Sequence, residues 1–236
     1  MCHFEGRAYA EYVAAPASDL AHKPTGIDHV QAAGAPMSVL TAWQYLVDLG
    51  HDVPSPFTGQ VHRPVPITPR TTVLVNGAAG GVGHFAVQLA KWKGAHVIAV
   101  ASGRHEQFLH GLGADEFIDY TGTRAEDVVG GVDLVIDAVG GPDSSRFLTV
   151  LKHGGTMLPV FFSPYDPQET ARRCITVSDI QVRSSGPQLA TIGLLFVEGK
   201  IQVGVDSAYP LPKAGSAHAR AAKGHIQGKI VLTVLP

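Results

Sequence analysis

The sequence predicts an α/β protein built on a doubly wound parallel sheet, and three observations carry that prediction. Short apolar runs of strand length recur along the chain, at residues 73–75, 96–101, 116–119, 132–139 and 156–160. Between them lie segments with apolar residues at offsets of three and four, so strand and helix alternate as such a sheet demands. A glycine-rich turn, Gly77-Ala78-Ala79-Gly80-Gly81-Val82-Gly83, joins the first of these strands to the first of these helices without an intervening loop.

Taken in order, residues 7–13 (Arg-Ala-Tyr-Ala-Glu-Tyr-Val) read as a strand, followed by an extended connection marked by Pro16 and Pro24. A helix is expected over residues 36–49, with Pro36 at its first position, Val39, Leu40, Trp43, Leu46 and Leu49 on one side, and Gly50 as its stop. Residues 51–69 contain Pro54, Pro56, Pro64, Pro66 and Pro69 and no apolar period, which describes a surface excursion. His51 and His62 within it are expected to be solvated, since no cysteine or carboxylate stands at ligand spacing.

Beyond the glycine turn, Val82, Phe85, Ala86, Leu89 and Ala90 give a helix one apolar face. Then come a strand at 96–101, a helix at 106–112, strands at 116–119 and 132–139, a helix at 144–151, strands at 156–160 and 175–182, and a helix at 188–198. A strand at 201–209, a helix at 213–223 and a strand at 229–235 break the rhythm. They are expected to rejoin the unit begun by residues 7–13, so that the central domain is bracketed by two pieces of another.

Composition excludes several classes. The chain has 236 residues, 45% hydrophobic and 16% charged, with a net charge of -2, so it can bury a full core. Dispersed Lys and Arg argue against nucleic acid, and no apolar stretch reaches the ~18 residues of a membrane helix. Residues 1–7 have neither a basic start nor an apolar core, and Cys2 and Cys174 form neither a disulfide framework nor a zinc motif. A cytoplasmic location is the expectation.

The glycine turn carries the chemistry. The first turn of a helix offers unpartnered N–H groups and the positive end of the dipole, and glycines let an anion approach them. Ala78-x-Gly80-x-x-Gly83 matches the dinucleotide fingerprint with alanine at the first glycine, in the strand-to-helix context that the fingerprint requires. About twenty residues on, an NAD site carries an acid for the ribose. Here the chain reads Ala101-Ser102-Gly103-Arg104, a hydroxyl and a guanidinium suited to a 2′-phosphate, which favours NADP(H). The alternative for Arg104 is solvation of a helix start. Because strands of such sheets point their C-terminal ends at the ligand crevice, Gly77 to Gly83, Ser102 to Arg104, Tyr120, Val139 to Gly141 and Val160 to Phe162 are expected around one cleft.

Four segments together give a family resemblance: Ala8-Tyr9-Ala10-Glu11-Tyr12-Val13, Leu40-Thr41-Ala42-Trp43, residues 76–83, and His225-Ile226-Gln227-Gly228-Lys229-Ile230-Val231-Leu232. The chain resembles a medium-chain dehydrogenase/reductase of the quinone oxidoreductase (zeta-crystallin-like) branch. The resemblance implies a Rossmann domain over residues 36–200 that binds NADP(H), bracketed by remnants of a GroES-like β-rich catalytic domain at 1–35 and 201–236. It implies hydride transfer to a small-molecule quinone, enone or similar activated double bond, and a homodimer. It implies a cofactor-binding set of Thr41, Gly77, Ala79, Gly80, Gly81, Val82, Gly83, Ser102, Arg104, Tyr120, Val139, Gly140, Val160, Phe161 and Phe162, with Thr41, Val160 and Phe161 near the nicotinamide, Gly80 to Val82 under the pyrophosphate, and Ser102, Arg104 and Tyr120 about the 2′-phosphate.

Thr41 could instead bond its own helix, Tyr120 could be a half-buried strand-end tyrosine, and Phe161 and Phe162 could be ordinary core or interface aromatics. The residues before Leu40-Thr41, Ala32 to Met37, include no cysteine, and the four-cysteine lobe of the zinc enzymes is lacking, so no metal is expected. Met1 matches a point inside the family's catalytic domain. The expectation is therefore either a fragment or a shortened homologue, and two alternatives stand beside the reductase: a nucleotide-binding module without catalysis, and a zinc-type alcohol dehydrogenase. No acid/base set can be assigned, so the catalytic residues are left open.

Overall fold

The computed structural model describes residues 9–48, 54–55, 59, 61–62, 65–161 and 163–234. At its centre is β1 (Thr72–Asn76), whose Val73, Leu74 and Val75 are fully buried, as a strand covered on both faces must be. Parallel neighbours flank it, β2 (His96–Ala101) on one side and β4 (Val132–Asp137) on the other. β3 (Glu116–Asp119) lies beyond β2, while β5 (Leu151–Pro159) and then β6 (Thr176–Val177) lie beyond β4. The resulting order, β3-β2-β1-β4-β5-β6, changes direction between β1 and β4. A sheet of this kind takes its ligand in the crevice outside the C-terminal ends of those two strands.

Helices cover both faces: α1 (His29–Gly34), α2 (Pro36–Leu46), α3 (Gly83–Trp92), α4 (Glu106–Gly111), α5 (Ala125–Val128), α6 (Pro167–Arg172), α7 (Gly186–Val197) and α8 (Ala214–Ala222). Strand alternation divides the core in two. Val73 and Val75 pack with Val39, Leu40, Phe85, Leu89 and Ile192 under α2, α3 and α7. Leu74 points the other way, to Ile98, Val100, Phe147, Leu148 and Met157.

Several expectations are corrected. Residues 9–13 are not a strand and lie exposed; apolar alternation needs a pairing neighbour, and among the described residues they have none. Residues 7–8 lie outside the described set, as do the expected helix end at Leu49 and Gly50, His51, and Leu235. α1 was not expected, although its capping box is visible in the sequence: Asp28 accepts from the Gln31 amide at 2.7 Å while Gln31 Oε1 accepts from the Asp28 amide at 3.1 Å. His62 is buried, not solvated, with Nδ1 2.6 Å from Ser178 Oγ and Nε2 3.2 Å from the Tyr45 carbonyl. The helix expected at 144–151 is a 3-10 segment, Pro142–Leu148, and β5 already begins at Leu151. Gly154 and Gly155 lie inside that strand. β6 keeps only two of the eight residues expected, and α5 and α6 fill stretches to which the sequence assigned no element.

β7 (Val205–Pro210) and β8 (Lys229–Thr233) form a separate two-stranded parallel sheet joined through α8, and α1 packs against both strands. Among the described residues no strand from the first part of the chain pairs with them.

Candidate functional site

The glycine turn is shaped by close backbone approach. The amides of Gly77 and Ala78 both donate to the Val100 carbonyl at 3.1 Å, and the Gly80 amide donates to the Gly77 carbonyl at 2.9 Å. A Cβ on Gly83 would overlap that same Gly77 oxygen, so only glycine lets α3 start under the turn. The amides of Gly81 and Val82 donate to no backbone carbonyl among the described residues. They are the orphan donors of a helix N-terminus, available to an anion.

The C-terminal segment braces this turn. The Gly228 amide donates to the Ala79 carbonyl at 2.7 Å, and the Lys229 amide to Gly204 at 2.9 Å. Gly228 has φ of 75°, and a Cβ there would overlap the Gly204 carbonyl. His84, fully buried on α3, lies between the two parts: its Nδ1 is 2.9 Å from the Gly80 carbonyl, and its Nε2 accepts from the Gly204 amide at 3.2 Å. An acceptor at Nε2 and a donor at Nδ1 specify the neutral imidazole. Burial dominates its titration and pushes its pKa down to about 4.

Between the turn and this segment lies a cavity of about 500 Å³. Gly77, Ala79, Gly80, Gly81, Ser102, Tyr120 and Val139 line one wall; His225, Ile226, Gly228, Lys229 and Ile230 line the other. Ser102 is 5% exposed and its Oγ has no hydrogen-bond partner among the described residues. Two side-chain pairs link the walls, Tyr120 Oη with His225 Nδ1 at 3.4 Å and His105 Nδ1 with Gln227 Oε1 at 3.1 Å. The turn between α8 and β8 that bears His225, itself at φ 52°, is anchored from below. Arg220 donates to the Gly224 carbonyl at 2.9 Å and pairs with Asp206 at 2.5 Å, and Asp206 also accepts from the Gln227 amide. Partial burial pushes the Asp206 pKa up, but the Gln227 amide, the Ser207 hydroxyl and Arg220 outweigh it and hold the carboxyl below the usual range.

A smaller cavity, of about 280 Å³, adjoins at Asn76, Tyr120, Val139 and Gly140. Beneath it Asp137, fully buried at the end of β4, accepts from Asn76 Nδ2 at 2.8 Å, from the Val139 and Gly140 amides at 3.2 and 3.0 Å, and from Tyr165 Oη at 3.1 Å. Its own carbonyl accepts from the Val160 amide at 2.9 Å. Burial and the neighbouring Asp137 both raise the Tyr165 pKa, keeping its hydroxyl a donor.

The expected residues therefore divide. Gly77, Ala79, Gly80, Gly81, Ser102, Tyr120 and Val139 meet at one cavity, with Gly140 at its neighbour. Val82 and Gly83 lie at the start of α3, and Val160 is tied to Asp137. Thr41 is buried in α2, where its hydroxyl donates to its own helix at the Met37 carbonyl, 2.8 Å away. Arg104 lies in the 3-10 turn Gly103–His105, exposed and outside the cavity wall. Phe161 is 67% exposed, and Phe162 falls outside the described residues. The second wall went unread as a site, because the His225-to-Ile230 run lies far along the chain from the fingerprint and matches no ligand motif of its own. Among the described residues no group of three or more His, Cys, Asp or Glu could hold a metal ion. An orphaned buried hydroxyl beside a turn too tight for a Cβ fits a dinucleotide.

Residues 112–232 match the family model described as zinc-binding dehydrogenase. The chain is 32% identical to a chloroplast envelope quinone oxidoreductase homolog of Arabidopsis thaliana, over 98% of this chain and 70% of that protein. It is 30% identical to the mitochondrial NAD(P)H oxidoreductase RTN4IP1 of Mus musculus, over 96% of this chain but 61% of that one. Among solved structures, an NAD-dependent alcohol dehydrogenase superposes with a TM-score of 0.83 at 30% identity, covering 97% of this chain and 65% of the other. The cytoplasmic expectation is overturned by these relatives, which are named for mitochondrion and chloroplast; it rested on signals the composition lacks, and a lack of signals carries no address. A family match over half the chain, sequence similarity over nearly all of it, and a fold that superposes on a solved dehydrogenase agree: the chain belongs to the zinc-binding dehydrogenase family of medium-chain dehydrogenases/reductases, beside its quinone oxidoreductases.

Proposed function

We propose that the chain is the nucleotide-binding part of an NADPH-dependent oxidoreductase that delivers hydride to a quinone, enone or similarly activated double bond without zinc. The observation that carries this is Ser102, a buried hydroxyl without a partner among the described residues, in the wall of a cavity floored by glycines of the fingerprint turn. Relatives named quinone oxidoreductase and NAD(P)H oxidoreductase support the reaction class. The bound nicotinamide supplies the hydride chemistry. The amides of Gly81 and Val82 hold the pyrophosphate, Ser102 and Tyr120 receive the 2′-phosphate with Arg104 at the rim, and Val139, Gly140 and Val160 border the nicotinamide. Residues 1–35 and 201–236 contribute to a second, GroES-like unit, and the assembly is a homodimer.

Titration with NADPH and NADH tests the reading: NADPH should bind more tightly, and Arg104→Ala should weaken NADPH while sparing NADH. Equal affinity for the two overturns the NADP assignment, and equal loss in the variant removes Arg104 from it. Quinone reduction should survive treatment with a zinc chelator. Sedimentation at several concentrations should give twice the chain mass.

A binding module without catalysis is the second reading, favoured by one observation: Val139 and Phe161, at the substrate end, are 58% and 67% exposed, so the described residues enclose no dry pocket there. Sustained NADPH oxidation with a quinone by the 236-residue chain would exclude it.

A further inference from the structure

We infer that Asp137 sets the redox preference of the nicotinamide held at this cleft, by presenting a fixed negative charge to a ring that becomes cationic when hydride departs. The inference rests on the dinucleotide reading and adds to it a residue and the quantity that the residue controls.

The hydrogen bonds of Asp137 carry the first step. Its side chain is fully buried and accepts from Asn76, Val139, Gly140 and Tyr165, all of them donors and none of them charged. Four donors and no acceptor satisfy a carboxylate without neutralising it. Among the described residues no Lys, Arg or His forms an ion pair with it.

Position carries the second step. Asp137 ends β4, beside the point where the strand order reverses. Every residue on the proposed nicotinamide side hangs from it, Val139 and Gly140 through its carboxylate and Val160 through its carbonyl. The charge and the wall it would act through are therefore one unit.

In a poorly polarisable interior an uncompensated charge acts over ~10 Å. An acceptor that takes a hydride, with both electrons of the broken C–H bond, and then a proton from water leaves a positive ring in the cleft. Asp137 favours that ring over the neutral, reduced one. It is a positioning residue for the turn, and its charge gives a signature that shaping the turn does not.

Dissociation constants of NADP+ and NADPH, measured by calorimetric titration of the whole chain, test this. Asp137→Asn should weaken NADP+ about tenfold more than NADPH. Tyr165→Phe keeps the anion but removes one of its donors, and should move the ratio the opposite way by about threefold. A purely structural role weakens both forms alike in each variant, so unchanged ratios, or shifts of one sign in both, overturn the inference. Should Asp137→Asn fail to fold, the Tyr165→Phe ratio decides alone. Binding of neither form to the unaltered chain overturns the dinucleotide reading, and the inference with it.

Discussion

The buried imidazole of His84 accepts a hydrogen bond from the amide of Gly204 at 3.2 Å, joining the start of α3 to the segment that leads into β7. This bond exists only while Nε2 is unprotonated. The folded pKa of about 4 lies below the 6.5 of an exposed histidine, so the unfolded chain binds the proton first as pH falls. The stabilisation is complete above pH 6.5 and declines toward pH 4. About 3 kcal/mol should be lost across that window. Thermal melts of the native chain and of His84→Asn, compared from pH 7 to pH 4, should show the steeper slope only in the native chain.

Ser102→Ala should separate stability from binding. Its hydroxyl is buried without a partner among the described residues, so removing it should leave the unfolding free energy within about 0.5 kcal/mol of the original or raise it. NADPH affinity should fall by about tenfold. A lower melting temperature with unchanged affinity would assign the hydroxyl a structural partner instead.

Gly228→Ala should be severe. The residue has a left-handed φ of 75°, and a Cβ would overlap the Gly204 carbonyl, so both strain and collision act against it. A loss of about 2 kcal/mol or more is expected in urea unfolding, together with loss of NADPH binding, because the same amide holds the Ala79 carbonyl.

Arg220→Ala should free the turn that bears His225. It leaves Asp206, whose side chain is 10% exposed, without its cation, at a cost of about 1–3 kcal/mol. Amide hydrogen exchange at residues 224–227 should quicken while β1 stays protected. Because the Asp206 pKa is held down in the folded state, the native contribution is present above about pH 4 and is lost as pH falls further.

Most of the sheet was legible because each buried strand is an apolar run followed by a turn: β2 and β3 end where the sequence placed them. The fingerprint was legible for a related reason, since Gly83 has no substitute under the Gly77 carbonyl. What the sequence hid is long-range pairing. Residues 7–13 have the alternation of a strand, but alternation does not say whether a partner is present. His62 reads as a loop histidine until Ser178 is brought beside it. Asp137 reads as one more polar residue in an apolar run until Asn76, Tyr165 and two amides converge on it. The second cavity wall was hidden likewise, being made by β8 and the turn before it and not by the fingerprint's own neighbours.

The hydrogen bond from Gly228 to Ala79 also fixes when during synthesis the site can exist. A ribosome that has delivered the glycine turn has still to deliver every element from β2 to α8 before the brace for that turn emerges. The nascent polypeptide therefore carries an unbraced turn until residue 228 has emerged, and the nucleotide capture proposed above would wait for that far segment. Proteolytic clipping near residues 224–229 would loosen the turn without touching it, so under the proposed function occupancy by nucleotide would report on the integrity of a distant stretch of the same polypeptide.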